Sequence, residues 1–200
     1  MPRRAILLIS AALLILAVAI GSYSLFLRKP DGSGTGVALV GGPFSLVDHT
    51  GKRVSEQDFR GRYMLVFFGY TYCPDVCPTE LQVMTAALDQ LGADADKIRP
   101  VFISIDPQRD TPEVLASYVE NFGPRLVGLT GTAEEIASVA KVYRVFYSKA
   151  GKTGSDEYLM DHSSILYLMG PDGGFVKHFT YTTDASGLAA NLNKVLISSP

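Results

Sequence analysis

With 200 residues, 47% of them apolar, the chain has room for one membrane-spanning segment and one globular domain but not for two independent cores. The formal net charge of −2 hides an asymmetry, since Arg3, Arg4, Arg28 and Lys29 put +4 on the first thirty residues and leave −6 on the remainder. An acidic domain without a basic stripe lacks the footprint that neutralising phosphates requires, which excludes nucleic acid as a partner.

Taken in chain order, residues 1–4 form a short cytoplasmic N-terminus and residues 5–27 an uncharged run. At ~1.5 Å per residue that run crosses the ~30 Å hydrocarbon layer of a bilayer. It competes with a cleaved signal peptide, for which Arg3 and Arg4 would be the basic start and Ala17 and Ala19 the small residues before the cut. The apolar part of a signal peptide is only ~7–15 residues, so the expectation is an uncleaved transmembrane helix. Charge does not orient it, because Arg28 and Lys29 match Arg3 and Arg4. Four residues before the span leave no room for an amphipathic, Arg- and Ser-rich import signal. A bacterial inner-membrane protein follows. Residues 28–42 carry five glycines with Ser33 and Thr35, the composition of a flexible tether to a domain spanning 43–200.

Segments 44–48 and 53–55 around Gly51 predict a short hairpin. Residues 63–68, YMLVFF, are apolar without alternation, as in a strand covered on both faces of a parallel sheet. Residues 79–91 place Leu81, Met84, Leu88 and Leu91 at helical spacing, closed by Gly92. A second buried strand, 101–105, runs into Asp106-Pro107, and Thr111-Pro112 opens a helix with an N-cap and a first-position proline. Gly123-Pro124 ends that helix, 126–129 forms a strand, and Thr132 caps a helix through Glu134, Ile136, Val139 and Tyr143. An antiparallel hairpin of 165–169 and 175–179 about Pro171-Asp172-Gly173-Gly174 precedes a helix over 184–196. Alternating strand and helix followed by hairpin and helix predict an α/β fold, a thioredoxin-like mixed sheet with flanking helices.

The two cysteines fall together in Tyr72-Cys73-Pro74-Asp75-Val76-Cys77-Pro78, between a buried strand and a helix start. Unpaired N–H groups and the helix dipole favour the thiolate there, which is both the nucleophile and the metal-binding form. A passive disulfide in an exported domain is the plainer alternative, although so short a loop gains little closure entropy. Three residues separate the cysteines, whereas thioredoxin-like oxidoreductases use two. Of the three histidines, His49 and His178 read as solvated surface residues. His162 stands in a loop directly before the strand of the last hairpin, where such oxidoreductases carry a proline. This chain has no proline between Pro124 and Pro171. Two thiolates and one imidazole suit Cu(I) and can hold Cu(II), while zinc usually wants a fourth protein ligand. Asp161 reads equally as the residue that orients the His162 ring and as a turn residue. Met160 reads as core packing rather than a thioether ligand.

Three motifs then carry a resemblance. The runs FGYTYCPDVCPT over 68–79, SIDPQRDTP over 104–112 and DHSS over 161–164 resemble, in that order, the signatures of the Sco/SenC family of copper proteins involved in cytochrome c oxidase assembly. The resemblance implies a membrane-anchored copper metallochaperone with one copper per domain, held in the periplasm on its single-pass anchor. It would help to load the binuclear copper (CuA) site of the oxidase subunit that carries it, by copper delivery, by reduction of that subunit's cysteines, or both. Cys73 and Cys77 would then be redox-active thiols and ligands, and His162 the third ligand. Asp106 would serve partner docking or the electrostatics of the site, or form a strand-end turn with Pro107. Implied partners are the copper-site subunit of the oxidase, another copper chaperone or a thioredoxin-like reductant, and the membrane. The alternative is a periplasmic thiol-disulfide oxidoreductase or thiol peroxidase, in which His162 would be dispensable. A redox sensor of copper or oxygen status has no separate signature in these residues.

Overall fold

A computed structural model describes residues 40–150 and 158–198, so the expected anchor at 5–27 and all but the end of the expected tether lie outside the described residues. Among the described residues no helix is long and apolar enough to cross a membrane.

The elements in order are β1 (Ser45–Asp48), β2 (Arg53–Ser55), β3 (Tyr63–Gly69), α1 (Val76–Gln90), β4 (Ile98–Ser104), α2 (Pro112–Val119), β5 (Val127–Thr130) and α3 (Ala133–Tyr143). They are followed by β6 (Tyr147–Ala150), β7 (Leu159–His162), β8 (Ile165–Met169), β9 (Phe175–Thr180) and α4 (Ala185–Ser198). Among the described residues, seven strands form one sheet in the order β2-β1-β5-β4-β3-β8-β9, and β6 and β7 form a separate two-stranded sheet. β3, β4 and β5 run parallel, while β1 and β8 pair antiparallel to β5 and β3. All seven residues of β3 are buried, as a strand covered on both faces requires. The mixed sheet with flanking helices follows the expectation. α1 packs against α4, and α2 lies on β5.

The helix signals act as their chemistry dictates. Thr111 accepts a hydrogen bond from the Val114 N–H with Pro112 in the first turn, and Thr132 forms a reciprocal capping box with Glu135. Two elements differ from expectation. α1 begins at Val76 rather than at Thr79, which puts Cys77 inside the first turn of the helix instead of in the loop before it. Pro78 permits this, since an N–H in the first turn has no intrahelical partner to lose. β6 and β7 were not expected, because four-residue strands of mixed polarity carry no clear period. His162 therefore ends a strand, with Tyr147 opposite it, rather than lying in a loop.

β3 and β4 stop side by side at Gly69 and Ser104, tied by the Ile105 N–H donating to the Gly69 carbonyl at 2.8 Å. The two motif-bearing loops thus leave the carboxyl ends of adjacent central strands, where open sheets place their sites.

Candidate metal centre

After Gly69 the chain turns tightly, the Cys73 N–H donating to the Tyr70 carbonyl at 3.3 Å. Asp75 precedes α1 without capping it through its side chain. That leaves first-turn N–H groups free for other acceptors, and the Cys77 N–H donates to the Cys73 sulfur at 3.4 Å. Cys77 is fully buried and Cys73 half-buried. A side chain at position 69 would collide with this arrangement, since a Cβ there would meet the Cys77 sulfur at 2.8 Å and the Phe102 ring at 2.9 Å. Glycine is the residue that leaves room for the sulfur.

His162 arrives from the other sheet. Its ring meets Phe67 and Tyr70 edge-on, with centroids 6.0 and 6.1 Å away. The Nδ1 atom lies 3.3 Å from the Ser163 carbonyl, which can only accept, so a proton on Nδ1 leaves a lone pair on Nε2. That Nε2 is 3.4 Å from the Cys77 sulfur. The two sulfurs and the ring nitrogen all lie within 4.8 Å of one another. A three-coordinate ion with bonds of ~2.3 Å needs donors ~4 Å apart, so the set fits a soft cation with little rearrangement.

The two thiols divide one proton between them. Cys73 is drawn down to about 3, first by the hydrogen bond from Cys77 and then by the backbone N–H groups of Asp75 and Cys77, against the opposing effect of burial. Cys77 moves the opposite way, because its thiol is the donor to Cys73 and because it is buried. The exposed sulfur is the thiolate and the buried one the thiol.

Behind the sulfurs lies a polar network that begins in the 106–110 loop. Asp110 is buried and accepts from the Thr71 N–H at 3.0 Å, from the Thr71 hydroxyl at 2.6 Å and from Ser104. Burial raises its carboxyl above the usual range despite those donors. Asp106 is 2% exposed, pairs with Arg109 through Oδ2, and accepts from the Tyr158 hydroxyl at 2.6 Å through Oδ1. Its expected turn is present as well, with the Arg109 N–H donating to its carbonyl at 3.1 Å. The Asp161 side chain is exposed on β7 and makes no hydrogen bond or ion pair among the described residues, so the group beside Nδ1 is the Ser163 carbonyl. Met160 is buried, and its backbone N–H donates to the Tyr70 hydroxyl at 3.1 Å.

Neither remaining histidine joins the cluster. His49 is not a free surface residue but accepts from the Gly128 N–H at 3.2 Å, while His178 stacks on Phe175 at the sheet edge. Tyr70, Arg109, Asp110 and Tyr158 were not singled out from sequence. Three of them stand in the motif segments quoted above or next to them, but nothing local signals that they converge.

Known proteins give the following. Residues 32–197 match the family model described as SCO1/SenC. Over 159 residues the chain is 47% identical to the human protein named SCO1 homolog, mitochondrial, an alignment covering 78% of this chain and 53% of that one. The chain thus spans about half the length of that relative. Among solved structures it is similar to Arabidopsis thaliana ScoI with copper bound, with a TM-score of 0.76 and 45% identity over 80% of this chain and 99% of that one. It is also similar to Bradyrhizobium japonicum ScoI with copper bound, with a TM-score of 0.72 and 44% identity over 78% of this chain and 98% of that one.

Proposed function

We propose that this chain, which belongs to the SCO1/SenC family, is a membrane-anchored, thioredoxin-like copper chaperone whose Cys73, Cys77 and His162 carry one copper ion. Copper is its cargo, bound as Cu(I) and tolerated as Cu(II), and its destination is the CuA site of the cytochrome c oxidase subunit. The observation that carries this reading is the convergence of two sulfurs and one imidazole nitrogen within 4.8 Å, across 85 residues of sequence. Copper bound in the Arabidopsis thaliana and Bradyrhizobium japonicum proteins supports the choice of metal. The 5–27 anchor would hold the domain on the periplasmic side of a bacterial inner membrane, with 28–42 as its tether.

The division between the thiols suits both tasks of such a protein. Cys73, half-exposed and ionised, is the sulfur that an incoming ligand reaches first, while Cys77 and His162 hold from behind. Without copper, the same thiolate attacks a disulfide of the partner and forms a mixed disulfide. Cys77 then displaces the partner's second sulfur, so that two thiols here become a disulfide and the partner's disulfide becomes two thiols. Exposed Asp161, next to His162, is placed to contribute to docking, whereas buried Asp106 acts on the electrostatics of the site. The alternative, a thiol-disulfide oxidoreductase or thiol peroxidase, uses the same Cys73 thiolate and Cys77 as resolving thiol, but gives His162 no task.

Reduced, oxygen-free protein should bind one equivalent of Cu(I) with two sulfurs and one nitrogen in the X-ray absorption spectrum. Affinity should rise with pH as the second thiol proton is displaced. His162→Ala should lose the nitrogen and at least tenfold in affinity. Unchanged affinity and coordination in that variant would reject the copper reading and favour the thiol enzyme.

A further inference from the structure

His162 sits on a two-stranded sheet that shares no ladder with the main sheet, so something other than strand pairing must hold its ring over the sulfurs. Buried Met160, whose N–H donates to the Tyr70 hydroxyl, ties β7 to the domain at its middle, and a second set of contacts gathers on one side chain at the Tyr158 end. Arg109 pairs with buried Asp106 through Nε and donates through Nη1 to the Tyr158 carbonyl at 2.9 Å. The guanidinium carbon lies 3.7 Å from the centre of the Tyr158 ring, 4.8 Å from that of Tyr72 and 5.7 Å from that of Tyr70. Tyr158 directly precedes β7, and Tyr70 and Tyr72 belong to the cysteine loop. The Tyr158 hydroxyl closes the circuit on Asp106, and Lys149 of β6 reaches Gln108 of the same loop at 2.8 Å.

We infer that Arg109 is a positioning residue that latches the β6–β7 hairpin, and with it His162, onto the cysteine loop. The inference rests on the metal reading above for its consequence but on this geometry for its mechanism. Arginine suits the task for a stated reason. Its planar fork engages a carboxylate and a carbonyl at once while its faces lie against aromatic rings, whereas the lysine ammonium is a compact point charge on a flexible stem. Nη2 is buried without a hydrogen-bond partner among the described residues, as suits a group set against ring faces. Tyr158 lies four residues before His162, ~13 Å along an extended strand. The latch therefore fixes one end of β7, while the Ser163 N–H donating to the Phe146 carbonyl at 3.0 Å closes the other. Free at the Tyr158 end, the hairpin would swing and the imidazole would leave the range in which it completes a three-donor set.

The test uses the full chain, reduced and metal-free, as the parent and as Arg109→Lys, Tyr158→Leu and Tyr158→Phe. Arg109→Lys keeps the charge, and Tyr158→Leu leaves the Asp106–Arg109 pair in place, so neither removes the buried ion pair outright. Amide hydrogen exchange of β6 and β7 should run at least tenfold faster in Arg109→Lys and Tyr158→Leu, with β3 and β4 protected as in the parent. Cu(I) affinity should fall 10- to 100-fold in both, and the nitrogen should weaken or vanish from the X-ray absorption spectrum. Tyr158→Phe, which loses only the hydroxyl, should fall between these variants and the parent. Exchange and affinity within twofold of the parent in Arg109→Lys and Tyr158→Leu would overturn the latch. So would an equal loss of protection in β3 and β4, which would make Arg109 a support of the whole fold. A parent that binds no copper, with loosened hairpins in the two variants, would sink the copper reading and leave the latch standing.

Discussion

At the scale of single residues, the two cysteines have the same chemistry and opposite surroundings. Cys73 collects hydrogen-bond donors and partial solvent, and Cys77 is shut beneath Gly69 and Phe102. A thiol lowered to about 3 is ionised throughout the physiological range, so its reactivity should not follow the ordinary thiol curve. In reduced, metal-free protein, carbamidomethylation of Cys73 by iodoacetamide should proceed at nearly the same rate at pH 5 and pH 8, while Cys77 stays unmodified. Mass spectrometry of the modified peptides reads both. A Cys73 rate that climbs about tenfold per pH unit up to pH 8 would show an ordinary thiol. The sign for stability follows from the same shift. Between about 3 and the unfolded value near 9 the unfolded chain holds the extra proton, so this thiol's contribution to stability grows as pH rises through that window.

At the scale of elements, the early start of α1 does most to shape the site, because it turns a loop cysteine into a helix-borne one. One turn further on, the helix carries Glu80, which is 3% exposed and has no hydrogen-bond or ion-pair partner among the described residues. Burial raises its carboxyl above the ordinary 4.5. The native state then keeps the proton while the unfolded state releases it, so stability falls as pH rises past about 4.5. Glu80→Gln should remove that slope. Urea unfolding should find the variant more stable than the parent at pH 7, with the difference shrinking toward pH 4. A constant difference across that range would mean that Glu80 is not the titrating group. The β6–β7 hairpin is the opposite kind of element, short and joined to the body by side chains, which is why its latch matters.

At the scale of the whole molecule, the donor set is drawn from two elements that meet only in the folded state, the cysteine segment after β3 and β7. An ion that binds all three donors therefore favours the native state, since the unfolded chain offers only the two cysteines as a local pair. At a free concentration a hundredfold above Kd, Cu(I) should add stability up to a ceiling of about 2.7 kcal/mol, less whatever the unfolded cysteine pair retains. For a domain of this size that raises the melting temperature by roughly 5–10 °C. A Cu(I) chelator should reverse the shift, and Cys73→Ser with Cys77→Ser should abolish it, each protein being compared with and without copper against its own metal-free melting temperature. A shift that survives loss of both cysteines would place the metal elsewhere.

What could be read from this chain without a fold was whatever rests on near neighbours. The unbroken apolar run of β3, the caps at Thr111 and Thr132, the turn before β9 and the cysteine spacing each depend on a few adjacent residues, so each shows in the order of side chains. His162 was legible as a candidate because its segment precedes a recognisable hairpin. Only the tertiary structure decided which cysteine is the thiolate, that His162 ends a strand, that the Ser163 carbonyl rather than Asp161 neighbours its ring, and that Arg109 joins the two halves of the site. These depend on burial and on contacts between segments from 37 to 85 residues apart, such as Arg109 with Tyr70, Tyr72 and Tyr158 and Cys77 with His162. Periodicity and propensity carry no record of such contacts, because they describe only how a segment sits on its own axis.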